Sequence, residues 1–265
     1  MNKTKIEWCD STWNPVTGCL HGCEYCCARY TSEKVSGHWD ENKLKTVGGN
    51  GSIHVIDEPM SRHTNGKNRD VGVHSDIAPY PFGFDPTFHK YRLNVPQKRN
   101  EPQTILVCST ADLFGEWIPD EWIEAVFEAC KKAPQHRYLF LTKNSKRYTE
   151  LANNGKLPQL DNMWYGTSIT GKSMKYFFSY GTYNTFISIE PLLEPLNVGV
   201  GSFSSTKWII IGAETGNRKN KVMPQKEWID NICEAANLTQ AAVFMKDSLI
   251  PIVGKENMRR EFPWR

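Results

Sequence analysis

Short apolar runs rich in β-branched and aromatic residues recur along the chain: 105-ILVCS-109, 137-RYLFLT-142, 163-MWYGTS-168, 185-TFISIE-190, 208-WIIIG-212 and 242-AVFMK-246. Their starts lie about 22 to 35 residues apart, the length of a strand plus a crossover helix. They are runs rather than strict alternations, which predicts strands covered on both faces. Helical periodicity fills several of the intervals. Across 119–133, Ile123, Val126, Phe127 and Cys130 fall at i, i+3, i+4 and i+7; Pro119 and acidic residues open the segment and Lys131 and Lys132 close it, which suits the helix dipole. In 224–237, Ile229, Ile232, Cys233 and Ala236 repeat the spacing, and 145–154 starts on a capping-type Ser145 and ends before Gly155. The alternation predicts an α/β fold on a parallel sheet, as a barrel or as an open doubly wound sheet.

Residues 37–104 break the pattern. They are rich in Gly, Pro, Asn and His, and a stretch of that length inside one domain reads as a functional lid, an insertion with some structure of its own, or a disordered segment. A short hairpin is expected near 52-SIHVID-57, with no second domain, so that 1–265 forms one domain carrying an inserted region.

Composition narrows the setting. Of the 265 residues, 23% are charged and 39% hydrophobic, ordinary values for a globular chain with a real core. No run of about 18 apolar residues is present to span a membrane, and the start MNKTKIEWCD has no signal-peptide stretch; a cytoplasmic location is expected. Thiols stay reduced there, so clustered cysteines point to metal binding or catalysis rather than disulfides. A formal charge of +3 permits a nucleic-acid partner without arguing for one.

Parallel α/β folds carry their chemistry at the carboxyl ends of the strands. Just past the apolar runs stand Asp112, Lys143 with Asn144, Thr167 with Ser168, Glu190, Glu214 with Thr215, and Lys246 with Asp247. Any one of these is ordinary turn chemistry. Together they predict a concave polar site shared by several strands.

Four of the eight cysteines fall in 18-GCLHGCEYCCARY-30. Cys19, Cys23 and Cys26 are spaced C-x3-C-x2-C. Three thiolates in a tight loop suit three irons of a [4Fe–4S] cluster, leaving the fourth open to a cofactor or substrate. Gly18 and Gly22 let the loop wrap closely, and Tyr25 adds a flat surface beside the cluster. A zinc site is the alternative, with Cys9, Cys27 or His21 as fourth ligand. Cys9 and Cys108 read as small core residues, and Cys27 as packed beneath the loop.

The motif resembles the radical S-adenosylmethionine superfamily, whose signature CxxxCx(aromatic)C follows the first strand of a partial (β/α)6 barrel. The segments 7-EWCDSTWNPVTGC-19, 109-STADLFGEWIPDEWI-123, 134-PQHRYLFLTK-143, 187-ISIEPLLEPL-196 and 208-WIIIGAETG-216 are similar to an uncharacterised phage and bacterial family within it. The resemblance covers most of the chain outside roughly 37–80. It implies a partial or near-complete parallel (β/α) barrel of TIM type. It also implies a [4Fe–4S] cluster on Cys19, Cys23 and Cys26, S-adenosylmethionine on the open iron, and an external electron donor. The expected chemistry is hydrogen abstraction by a 5′-deoxyadenosyl radical. Cofactor contacts are expected from Tyr25, from Asp112 at the methionine amino group, from Ser168 at a ribose hydroxyl, and from Glu190 and Glu214. Lys143 and Lys246 are placed to neutralise a carboxylate or phosphate. The substrate is open, a nucleotide or nucleic acid being suggested by analogy. Two rivals remain at this level: a zinc-stabilised, non-catalytic barrel that binds a partner, and a barrel hydrolase or lyase using strand-end acids and lysines.

Overall fold

The computed structural model describes residues 1–36, 52–60, 77–171, 178, 181–199, 201–216 and 218–265. All six apolar runs are strands: β6 (Thr104–Val107), β7 (Arg137–Thr142), β8 (Met163–Ile169), β9 (Asn184–Ile189), β10 (Trp208–Ile211) and β11 (Ala242–Met245). They pair in parallel and in chain order, β6-β7-β8-β9-β10-β11. A short strand absent from the periodic series, β2 (Ser11–Trp13), adds in parallel to β6, and β1 (Asn2–Lys3) runs antiparallel to β2.

The sheet is open among the described residues, so the expected near-complete barrel is not seen. Its two edges are managed without closure. Antiparallel β1 covers β2. Residues 259–261 cover β11, with the Met245 N–H donating to the Arg259 carbonyl at 2.9 Å and the Glu261 N–H to the Val243 carbonyl at 3.0 Å. Edge groups satisfied in this way have no need to meet each other.

The predicted helices also form. They are α2 (Asp120–Lys131), α3 (Lys146–Asn153) and α4 (Lys226–Leu238), after α1 (Cys27–Ser36) and before a short α5 (Ile250–Val253). Ser145 precedes α3 without a side-chain cap bond. At the other end Gly155 takes φ +66°, and the Gly155 N–H bonds the Ala152 carbonyl.

The period-two direction of strand side chains divides the core. Ile105, Val107, Tyr138, Phe140 and Tyr165 pack under α2 and α3, while Ile187, Ile189, Ile209, Ile211 and Val243 pack under α4. The alternate residues Leu106, Leu139, Trp164, Phe186, Trp208, Ile210 and Phe244 form a third cluster on the opposite face, filled by Trp8, Phe262 and Trp264.

Farther along the same alternate positions, the residues change character. Leu139 and Leu141 lead to Lys143, Trp164 and Gly166 to Ser168, and Phe186 to Ser188 and Glu190. One face of the sheet therefore carries an apolar floor toward its amino end and a polar rim at its carboxyl end.

The inserted region contributes a second small sheet. β5 (Thr87–His89) pairs antiparallel with β3 (Val16–Thr17) and parallel with β4 (His54–Ile56). The expected hairpin at 52–57 is corrected by this pairing. The strand exists, but its partner lies about thirty residues onward, and parallel pairing excludes a tight turn. Residues 37–51 and 61–76 of the insertion lie outside the described residues.

Gly166 sits at the centre of this architecture: a Cβ there would fall 2.3 Å from the Phe186 ring. Gly166→Ala is expected to destabilise the protein by about 1–3 kcal/mol through overpacking, read as a shift in the denaturant midpoint. An unchanged midpoint would show that Phe186 is free to move aside.

Candidate functional site

The cysteine loop follows β2 and β3 and lies at the carboxyl edge of the sheet. Its approach is set by Gly18, which has φ +83° and bridges to Ala111; a Cβ on it would lie 2.2 Å from the Asp85 carbonyl oxygen. The Gly18 N–H donates to the Thr110 carbonyl at 3.0 Å and the Cys19 N–H to the Phe84 carbonyl at 3.0 Å. The loop is thereby stitched to the end of β6 on one side and to the insertion on the other.

Past Cys26 the chain enters α1. The Arg29 N–H points at Cys26 Sγ, 3.4 Å away, and Arg29 Nη2 donates to the Cys19 carbonyl at 3.0 Å while its guanidinium lies 4.8 Å from the Phe84 ring centre. The first turn of the helix and the arginine drawn across the loop thus hold the Cys26 end and the Cys19 end of the motif together.

Cys19, Cys23 and Cys26 all line one cavity of about 280 Å³, and none is in a disulfide. Burial pushes the Cys19 thiol up to about 12, with Asp112, Cys23 and Cys26 adding in the same direction. A bound cation reverses that balance, since metal at sulfur displaces the proton. Among the described residues no three His, Cys, Asp or Glu side chains are grouped to hold a single metal ion. A zinc site needs ligands converging on one point, whereas a cubane cluster takes each thiolate on a separate iron. The donor set of three free thiols on one cavity wall fits the second requirement.

The strand ends supply the rest of the wall: Asp112, Lys143, Ser168, Ser188, Glu190 and Glu214. Asp112, Lys143, Ser168, Glu190 and Glu214 therefore border the same cavity as the cysteines, and so does Tyr25, whereas Lys246 is not among its lining residues. Their partners revise what they are free to do.

Asp112 is 5% exposed and accepts four hydrogen bonds. Oδ1 takes the Phe114 N–H at 3.0 Å and the Thr142 hydroxyl at 2.7 Å, while Oδ2 takes the Lys143 N–H at 2.9 Å and His21 Nε2 at 2.7 Å. A carboxylate has about four lone-pair sites. The direct contact to a methionine amino group expected of Asp112 meets a carboxylate already filled by the protein's own donors.

Lys246 forms an ion pair with Glu190, and Gly212 makes room for it: a Cβ there would approach the Lys246 and Glu190 side chains at 3.0 and 3.3 Å. Glu214, 4% exposed, is held by Arg218 through Nε at 2.6 Å and Nη2 at 2.8 Å, and by the Val222 N–H at 3.2 Å. Arg218 also reaches Glu24 of the cysteine loop at 3.5 Å, an exposed contact between loop and sheet.

Lys143 differs from Lys246. Its Nζ donates to Ser168 Oγ at 3.1 Å and lies 5.5 Å from the Tyr25 ring centre, with no carboxylate partner among the described residues. It is the cation this rim leaves available.

Cys9 and Cys108 behave as expected, packing in or against the core with thiols pushed up to about 12 by burial. Cys27 does not. It is exposed on the cavity wall at the start of α1, because the helix begins there and turns its side chain off the loop. Sequence reasoning weighed His21 only as a zinc ligand; here it bonds Asp112 and stands edge-on to Trp117, with ring centres 4.9 Å apart. Arg29 and Ser188 were missed. Arg29 had a signal, being three residues after the last motif cysteine and so at the third position of the helix.

The molecule is thus a parallel α/β protein whose strand-end cavity presents three free cysteines beside a polar rim. It belongs to the family described as "Protein of unknown function (DUF5131)", which matches residues 3–249. No curated protein matches the sequence. Among solved structures, a cysteine-to-alanine mutant of spore photoproduct lyase with dinucleoside spore photoproduct aligns at 10% identity and a TM-score of 0.43, covering 87% of this chain and 74% of that one. At that score the likeness carries no argument here.

Two outcomes follow from the rim. Asp112→Ala strands four donors, two of them in fully buried bonds, and is expected to cost more than about 2 kcal/mol of stability; a smaller loss in denaturant unfolding would show that water replaces the carboxylate. Arg218 first, then the Val222 N–H, holds the Glu214 carboxyl below the usual range. A depressed carboxylate adds stability above its unfolded pKa and loses it as pH falls through the folded value. The stability gap between wild type and Glu214→Gln should be widest near neutrality and close as the pH drops below the ordinary glutamate range. A gap that widens in acid would overturn the assignment.

Proposed function

We propose that the protein is a radical S-adenosylmethionine enzyme, with Cys19, Cys23 and Cys26 holding a [4Fe–4S] cluster. The observation that carries this reading is the placement of three free, C-x3-C-x2-C cysteines on the wall of one strand-end cavity. When bound, the cluster and its cofactor supply one-electron cleavage of a sulfonium bond to give a 5′-deoxyadenosyl radical.

The chain's own part is positioning and exclusion of water. Lys143, cationic and without a carboxylate partner, takes a carboxylate group. Ser168 and Ser188, opposite each other in the β8–β9 register, offer hydroxyls to a ribose. Tyr25 presents a ring beside Lys143. Asp112 acts through others: it fixes the Lys143 backbone and the His21 ring, and so sets the depth of the cysteine loop. Glu190 and Glu214, each tied to a cation, shape the far wall. The apolar floor beneath them keeps the reacting volume dry, as a radical requires. A nucleotide or nucleic-acid substrate is the reading we favour on analogy, and the electron arrives from an external donor.

Anaerobic purification should give a brown protein with roughly four iron and four sulfide per chain. Alanine at Cys19, Cys23 or Cys26 should abolish the cluster, while Cys9→Ala and Cys27→Ala retain it. Reduced with dithionite, the loaded protein should release 5′-deoxyadenosine slowly without substrate. Lys143→Ala should weaken cofactor binding about tenfold to a hundredfold, the loss of one charge-assisted bond. Colourless protein with one zinc per chain, or a cluster-bearing protein that neither binds the cofactor in calorimetry nor forms 5′-deoxyadenosine, would sink the proposal.

A further inference from the structure

A second cavity, of about 440 Å³, lies beside the first and shares Thr110 with it. Its wall runs from Thr12 on β2 through Asn14 and Thr17 to Tyr91 and Arg92 in the turn after β5, with Tyr80 alongside. Among the described residues no Asp or Glu lines it. Arg92 is its charged side chain, and every partner of that guanidinium is neutral. Nη1 donates to the Asn14 carbonyl at 2.9 Å, Nε donates to the Tyr91 hydroxyl at 3.2 Å, and the group lies 5.3 Å from the Tyr91 ring centre. Among the described residues it forms no ion pair, and Nη2 has no hydrogen-bond acceptor.

The neighbouring histidine does nothing to offset that charge. His89 is fully enclosed between the Thr17 hydroxyl at 2.8 Å and the Tyr91 hydroxyl at 3.3 Å, and burial first, then Arg92, pushes its pKa down to about 3. It stays neutral and fixes the hydroxyls around the arginine. A half-buried guanidinium held in place by neutral acceptors, with donors still free, is preorganised for an anion. The volume is that of a small-molecule site, which commonly spans roughly 300–1,000 Å³. The rest of the wall offers aromatic surface from Tyr80 and Tyr91, and hydroxyl and amide groups from Thr12 and Asn14. Those groups suit a ring and a sugar better than a bare ion.

We infer that this cavity is a second ligand site, taking a phosphate ester of nucleotide size with its phosphate on Arg92. The site stands on its own walls and is independent of the cluster reading.

The test uses the full chain in both wild-type and Cys19→Ala form, with nucleoside monophosphates, the matching nucleosides, inorganic phosphate and a dicarboxylate as probes at constant ionic strength. Calorimetry should show a nucleoside monophosphate binding at least tenfold more tightly than phosphate, nucleoside or dicarboxylate, equally in both forms. Arg92→Gln should lose that binding and Arg92→Lys should keep part of it. A wild-type measurement guards against variants that fail to fold: modification of Arg92 by phenylglyoxal, located by peptide mass spectrometry, should slow several-fold when the nucleotide is present. Absence of nucleotide binding at millimolar concentration, binding no tighter than that of phosphate or dicarboxylate, or binding that leaves Arg92 as reactive as before would each overturn the inference.

Discussion

The cavity depends on one carboxylate. Asp112 stands where the loop after β6, the end of β7 and the cysteine loop meet, and it accepts a hydrogen bond from each of them. Buried as it is, a carboxylate is tolerable only when its lone pairs are filled by donors. That demand forces Thr142, Lys143 and His21 to converge. Once they have converged, the Lys143 side chain is aimed at Ser168 and Tyr25, and His21 is pinned against Trp117. The loop carrying the cysteines is thereby held to the sheet from inside, while Arg29 and Arg218 hold it from outside.

The sheet imposes the second constraint. Side chains two apart on a strand share a face, and parallel strands in register align those faces. Gly166 lies beside Phe186 and Ser168 beside Ser188, so each layer of the floor and rim is built from neighbours at equal depth. Aromatic packing among Trp8, Phe186, Trp208 and Trp264 closes the apolar end, with Trp208 and Trp264 ring centres 5.0 Å apart. Gly166 lets Phe186 lie against its backbone, and Gly212 leaves room for the Glu190–Lys246 pair. The transition from dry floor to polar rim within a few residues gives the cavity a low-dielectric base and a charged mouth.

The charged residues of that mouth are mostly committed to each other. Glu190 pairs with Lys246, and Glu214 with Arg218. Pairing of this kind fixes side-chain directions while leaving little net charge to attract a ligand. Among the described residues, Lys143 in the first cavity and Arg92 in the second are the exceptions, each partly enclosed and each with a side chain bonded to neutral groups. Two adjacent cavities that each present a cation without an ion-pair partner among the described residues are suited to anionic or zwitterionic ligands.

The sequence by itself determined the strands β6 to β11, the helices α2 to α4, the strand-end residues and the cysteine triplet. Each of these is a local pattern, whether an apolar run, a 3.6-residue periodicity or a fixed spacing, and local patterns need no knowledge of partners. Three-residue β2 was too short to register as a pattern, and β4 was read as half of a hairpin because its parallel partner lies far along the chain. Only the tertiary structure decided which charges are spent. Asp112 looks like a free ligand in sequence and is saturated in space. Lys143 and Lys246 look alike in sequence, yet Lys246 pairs with Glu190 while Lys143 has no carboxylate partner among the described residues. Hydrogen-bond saturation and ion pairing are set by which side chains meet across strands and loops, and no spacing along a chain records that.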